Sequence, residues 1–267
     1  MMLQTDKTLL PSLRERVRQI ERGAAARHGI APLGLAAIDR ALPDGGLARG
    51  AVHEILGVGG DEEDGALAAA FAAYLLGRFA AQDGPGGGVA LWCLARPDLY
   101  GPGLAAQGFN LGLDPARLVL VRAPRDELLL WAIEEGLRAP GVAAVAGEVG
   151  RLDMVGSRRL QLAAEHSGVT LLLLRRWRNG EAAARERGRP SAAATRWRVA
   201  SLPSLPVAGE PGIGHPRWRV ELLRCRGGRP GIWDVEVADA PGALFVAAAL
   251  ADRPPADGVV AARRRAG

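Results

Sequence analysis

Residues 51–79 constrain the fold more tightly than any other stretch. Ala51-Val52-His53-Glu54-Ile55-Leu56 alternates and is apolar enough for a short buried strand. Gly57-Val58-Gly59-Gly60 follows as a flexible turn, and from Ala66 the chain is alanine-rich, with Leu67, Phe71, Tyr74, Leu75 and Phe79 at helical spacing. Strand, glycine loop and helix in that order make the frame of a phosphate-binding loop. In such a loop backbone N–H groups and a lysine hold the phosphates, and a Ser/Thr hydroxyl holds Mg²⁺. Aligned from Gly57, the final glycine of that pattern falls on Glu62, the lysine on Glu63 and the Ser/Thr on Asp64.

The size of this change matters. An ammonium group beside a phosphate oxygen gains about 4 kcal/mol at ~4 Å and an effective dielectric of ~20. A carboxylate there repels by a similar amount, and Asp61-Glu62-Glu63-Asp64 supplies four acids in a row. Acids also suit the first turn of any helix. The loop by itself therefore leaves two readings open: a nucleotide loop stripped of its chemistry, or an ordinary acidic helix start.

The remaining segments repeat the strand–helix theme. Val89–Leu94, Leu118–Val121, Val142–Ala146 and Val169–Leu174 read as buried strands, with helices over Asp126–Arg138 and Ser157–His166. Strands alternating with helices predict an α/β fold with a mostly parallel sheet flanked by helices. Past Arg196 the texture changes to strands without helices, at Arg196–Ala200, Trp218–Leu223 and Trp233–Val237, with a hairpin turn at Gly227-Gly228. These predict an antiparallel extension at the C-terminal edge. Upstream, Leu9, Leu13, Val17 and Ile20 mark one face of a helix over Leu9–Arg27, which makes them candidate partner contacts; a linker at Gly29–Leu33 and a helix over Leu35–Leu42 follow. The expected division is an N-terminal helix over 1–28, a core over 29–246 and a disordered arginine-rich tail over 247–267.

Composition bounds the function. The 267 residues are 48% hydrophobic, ample for a core, and the net charge is +5, carried almost wholly by arginine since Lys7 is the single lysine. GC-rich coding accounts for much of that bias, but guanidinium forks still pair with phosphates better than ammonium groups do. Cys93 and Cys225 lack metal or redox spacing and read as buried free thiols in a reducing compartment. No stretch has the form of a signal peptide or membrane span, so the expected location is the cytoplasm, with no membrane partner. His28, His53, His166 and His215 are scattered without metal-ligand spacing and read as structural, and neither a nucleophile elbow nor a metal set is visible. Ser157, Asp153 and Glu165 read as ordinary helix residues.

The order of elements resembles the RecA recombinase core from about residue 31 to 237, with Leu33-Gly34-Leu35 to Leu42, Gly45 to Gly50 and Glu54-Ile55-Leu56-Gly57 as its approach to the nucleotide loop. The chain is similar more closely still to the bacterial inducible-mutagenesis A (ImuA) family, RecA relatives of damage-induced translesion operons. That similarity rests on Trp92 with Arg96-Pro97-Asp98-Leu99-Tyr100, Leu174 to Arg178, Arg196-Trp197-Arg198-Val199 and Trp218 to Gly231. Carried over by position, the water-activating glutamate of RecA falls near Ala95, and the aspartate that supports Mg²⁺ falls on Gly147, with Glu148 one step away. Gly57, Gly60, Asp61, Glu62, Glu63 and Asp64 would then be a degenerate nucleotide loop, and Gly147 and Glu148 a degenerate metal-supporting strand end. The resemblance implies a RecA scaffold without cofactor or catalysis, used for contacts.

Arg175 to Arg198 sits where the DNA-binding loop of RecA lies. Arg175, Arg176, Arg178, Arg185, Arg187, Arg189, Arg196 and Arg198 outnumber its acids, and Trp177 and Trp197 bracket a stretch around Asn179–Ser191 that reads as long and flexible. Guanidinium groups on phosphates with indoles on bases would hold single-stranded DNA without reading sequence. A solvated loop, or a contact for an acidic protein, uses the same residues.

The resemblance thus implies a non-catalytic adaptor in damage-induced (SOS) mutagenesis. It would work with the Y-family-like polymerase homologue of its operon and an error-prone DNA polymerase III alpha-type subunit, with RecA itself as a further candidate partner. Two alternatives stand beside it. An ATP-driven recombinase would need nucleotide binding despite the acidic loop. A cell-division inhibitor of the RecA-like type would filament cells on overexpression.

Overall fold

The computed structural model describes residues 23–61, 65–81, 88–95, 113–204, 214–237 and 244–246. The chain runs α1 (Gly23–His28), β1 (Ile30–Ala31), α2 (Ala36–Asp39), β2 (Leu47–Ala48), β3 (Val52–Gly57), α3 (Ala66–Ala81), β4 (Val89–Leu94), β5 (Leu118–Arg122) and α4 (Asp126–Arg138). It continues through β6 (Val142–Val149), α5 (Met154–Ser167), β7 (Thr170–Arg175), α6 (Gly180–Arg187), β8 (Thr195–Leu202), β9 (Arg217–Cys225), β10 (Gly231–Val237) and β11 (Leu244–Val246).

β3 and β7 are buried at every position; β7 accordingly reads as a continuous apolar run, whereas β3 carries His53 and Glu54 inside the sheet. They lie at the centre of a sheet of order β11-β10-β9-β8-β3-β7-β6-β4-β5. From β5 to β8 every pairing is parallel; β8 to β11 are joined antiparallel. The expected mostly parallel sheet with an antiparallel C-terminal extension is therefore present. Its junction is β8, which was expected inside the extension but pairs parallel with β3 on one side.

The two faces of the sheet bury different helices. Phe71, Tyr74, Leu75 and Phe79 of α3 pack with Ile55, Trp92, Leu172, Leu174 and Trp197. Leu129, Ile133 and Leu137 of α4, with Leu160 and Ala164 of α5, pack with Val145, Leu171 and Leu173. Alternation along β6 sends Ala144 and Ala146 to the first face and Val145 to the second. Each buried Leu or Phe contributes roughly 1.5–3 kcal/mol.

Several local expectations need correction. Residues 29–33 are not a linker: β1 pairs with β2, and Leu33, Leu35, Ile38 and Leu42 cover the outer side of α3. Tyr74 donates to the Leu33 carbonyl there. The helix expected over Leu35–Leu42 is confined to α2, followed by turns through Leu42, and Asp39 turns back to accept from the Leu33 and Gly34 amides. α5 begins at Met154, with Asp153 as its N-cap accepting from the Gly156 amide at 2.7 Å, so Asp153 is not an idle surface charge. The stretch after Asn179 is not a loop. Asn179 caps α6 by accepting from the Ala182 amide at 3.0 Å. Of the N-terminal helix only α1 falls within the described residues; Leu9, Leu13, Val17, Ile20 and the 247–267 tail lie outside them.

Candidate functional site

The loop after β3 meets the chain leaving β7, and the meeting fills the crevice. Gly60 lies so close to Asn179 that an added Cβ would sit 2.6 Å from the Asn179 Cα. Only glycine fits there. The next amide, on Asp61, donates to the Trp177 carbonyl at 2.7 Å. Arg187 donates to the Val58 carbonyl from the same side. The Asp61 amide, a loop donor of the kind that would face a phosphate in a nucleotide-binding protein, thus faces the protein's own backbone. Glu62, Glu63 and Asp64 lie outside the described residues.

Arg176 completes the closure. Its Nε donates to Asp61 Oδ1 at 2.7 Å and its Nη1 to Glu148 Oε2 at 2.8 Å, and the other Glu148 oxygen accepts from Trp92 Nε1 at 2.7 Å. The Arg176 and Glu148 side chains are buried and Asp61 nearly so. The acid that faces the loop is therefore Glu148, not Gly147. Successive strand residues point to opposite faces. A Cβ on Gly147 would strike Ile133 Cδ1 of α4 at 2.4 Å, so the other face has no room for an aspartate. Ala95, where the water-activating glutamate was expected, directly follows β4 and lines the cleft that Glu148 also lines.

A second ion-pair cluster lies beside the first. Glu54, from the middle of β3, is 1% exposed and accepts from Arg175 at 2.7 Å, Arg196 at 2.6 Å and Ser191 at 3.0 Å. Arg175 also donates to the Gly150 carbonyl at 3.0 Å and stacks over Trp177, whose indole N–H shares that carbonyl. A carboxylate inside a parallel sheet is tolerable because its charge and lone pairs are met in this way.

The arginine segment accordingly divides. Arg175, Arg176 and Arg196 are held by Glu54, Asp61 and Glu148, and Arg198 is held by Glu221 on β9. Trp177 is buried, and Trp197 packs between Phe71 and Trp233 with its N–H on Thr195. Neither indole is available to stack on a base, which corrects the expectation for both. Arg178, Arg185 and Arg189 are exposed and Arg187 half-exposed. Sequence reasoning missed Glu54 and Arg151. The first looked like one polar residue in a strand, and the second follows β6 with no motif around it, its exposed side chain on the cleft wall.

The remaining singled-out residues are structural. His53 is fully buried, with Nε2 on the Ala48 carbonyl and Nδ1 on Thr195, and burial lowers its pKa to about 4. His28 reaches the Glu165 carbonyl, and Ser157 accepts from the Ala192 amide. Cys93 is buried and Cys225 half-buried; burial pushes their thiols up to about 12 and about 11. Among the described residues no group of acids, histidines and cysteines could hold a metal, and no helix is long and apolar enough to cross a membrane.

The parallel sheet, the strand–loop–helix at its centre and the antiparallel edge define a RecA-like α/β protein. A KaiC-like protein from the archaeon Pyrococcus horikoshii OT3 shares the fold, with a TM-score of 0.53 at 14% identity over 82% of this chain and 98% of that one. Two proteins named Protein ImuA, from Caulobacter vibrioides strains NA1000 / CB15N and ATCC 19089 / CIP 103742 / CB 15, are each 40% identical over 223 residues, 83% of this chain and 88% of theirs. The chain belongs to the ImuA family. No family model matches it.

Proposed function

We propose that this protein is a non-catalytic RecA-like accessory factor in DNA damage-induced mutagenesis, with a nucleotide crevice converted into an internal ion-pair lock. The observation that carries this reading is Arg176 bridging Asp61 and Glu148. Seating a triphosphate would require that bridge to open, and breaking a buried pair costs roughly 3–5 kcal/mol. It would also require the Asp61 amide to leave the Trp177 carbonyl. Calorimetric titration of the full chain with Mg·ATP, and a phosphate-release assay with and without single-stranded DNA, test the reading. No heat and no release are expected. Saturable nucleotide binding would return the protein to the motor class.

Membership of the ImuA family and the acids at the lysine and Ser/Thr positions of the loop both favour a role through contacts. The expected partners are the Y-family-like polymerase homologue and the error-prone DNA polymerase III alpha-type subunit, with RecA as a further candidate and single-stranded DNA as the nucleic acid. Affinity capture from DNA-damaged cells tests the protein partners; recovery of neither polymerase would overturn that part. The exposed arginines after β7 support the DNA contact.

A further inference from the structure

A cleft of about 510 Å³ crosses the carboxyl ends of neighbouring strands β5, β4, β6 and β7. Ligands of open α/β sheets bind outside these strand ends. Four arginines line it, Arg151, Arg176, Arg178 and Arg185, against the carboxylates of Asp126 and Glu148. Their commitments differ. Arg176 is consumed by Asp61 and Glu148, and Arg185 shares its charge with Glu181, one helical turn away at 2.9 Å. Arg151 and Arg178 are exposed and form no ion pair with any described residue. Exposed Arg125, between Pro124 and Asp126 of the cleft wall, extends the row towards β5. Cations set on separate connections across four adjacent strand ends, about 14 Å apart at the extremes, suit an extended chain of anions better than a single one.

We propose that this cleft is the phosphate track of single-stranded DNA, with the strand laid across the sheet ends and Arg125, Arg151, Arg178 and Arg185 as its phosphate contacts. The inference rests on the DNA contact proposed above and moves it away from the tryptophan-bracketed segment to a surface in which Arg151 and Arg125 take part. It also fixes the mode of grip. Among the described residues the one aromatic side chain on the cleft wall, Trp177, is buried under Arg175 with its N–H on Gly150. No described side chain offers a base a stacking platform there. The proposed grip is on the backbone and indifferent to the bases, unlike grooves that pair cations with exposed aromatics.

The test is the salt dependence of anisotropy for a labelled oligothymidylate binding the full chain. Each phosphate contact on a single strand contributes about 0.7 to the log–log slope. Arg151→Gln/Arg178→Gln should lower the slope magnitude by about 1.4, while Arg229→Gln, on the exposed β9–β10 turn, leaves it unchanged. Neither cleft residue has an ion-pair partner among the described residues whose loss would unfold the protein. An abasic oligomer of equal length and charge should compete as well as the oligothymidylate. If the wild-type chain binds but the double variant keeps its slope, the track lies elsewhere and the DNA contact survives. Failure of the abasic oligomer to compete would mean that bases are held, which ends the phosphate-only track. If the wild-type chain binds no single strand even at low salt, the DNA contact itself is wrong.

Discussion

Arg176 donates to Glu148 at 2.8 Å across 28 residues of sequence, joining the end of β7 to the end of β6. Asp61 lies on the other side of the same guanidinium. An acid in the loop after β3 is thus neutralised by the protein, and the repulsion that four acids in a row threaten is met in part from within.

Removing the guanidinium should leave two poorly solvated carboxylates. Arg176→Met is expected to cost roughly 3–5 kcal/mol of stability, read from urea denaturation midpoints. Arg176→Met/Glu148→Gln should recover part of that loss, since one stranded charge goes with its partner. Equal losses in the single and double variants would mean that the bridge is not coupled.

Restoring the missing side chains of the loop should not restore a motor. Glu63→Lys/Asp64→Thr is expected to show no phosphate release, because Arg176 still occupies Glu148 and Ala95 supplies no water-activating acid. Measurable turnover in that variant would show that these positions have been misassigned.

His53 predicts the acid limb of the stability curve. Its folded pKa, about 4, lies below the ordinary value of 6.5 because burial disfavours the charged ring. The unfolded chain takes up this proton first. The stability due to His53 is complete above pH 6.5 and falls between pH 6.5 and 4, by about 3 kcal/mol in all. His53→Asn should flatten that slope in denaturation midpoints measured from pH 7.5 to 4.5, at a lower starting stability.

The thiols should differ from those of a redox sensor. With burial holding Cys93 at about 12 and Cys225 at about 11, almost no thiolate exists near neutrality. A maleimide reagent should label the native protein slowly, at Cys225 first, and reach Cys93 only after unfolding; mass spectrometry of timed samples checks the order.

Glu54 should be among the least replaceable residues of the sheet. Glu54→Gln leaves Arg196 without its carboxylate and Arg175 with only the more distant Glu186, at 3.8 Å, in a buried setting, and should cost about 3 kcal/mol or more. Thermal unfolding followed by circular dichroism measures it.

Much of the fold was legible because its signals are local. Leu171 to Leu174 and the alanines from Ala66 write their periods into adjacent residues, and those periods suffice for the strands, the helices and the parallel core. Asn179 was read as flexible because Asn-Gly is a turn signal, yet its side chain caps a helix, since the same oxygen serves either structure. β1 was missed because two residues carry no period.

The sequence by itself determined the order of elements, the loss of lysine and hydroxyl from the loop, and the excess of arginine after β7. Only the tertiary structure decided which arginines are free. Arg176 and Arg178 look equivalent in the chain, but one meets Asp61 from 115 residues away while the other faces the cleft with no ion pair to any described residue. Ion pairs depend on distances of a few ångströms between remote segments, and no local pattern encodes those distances.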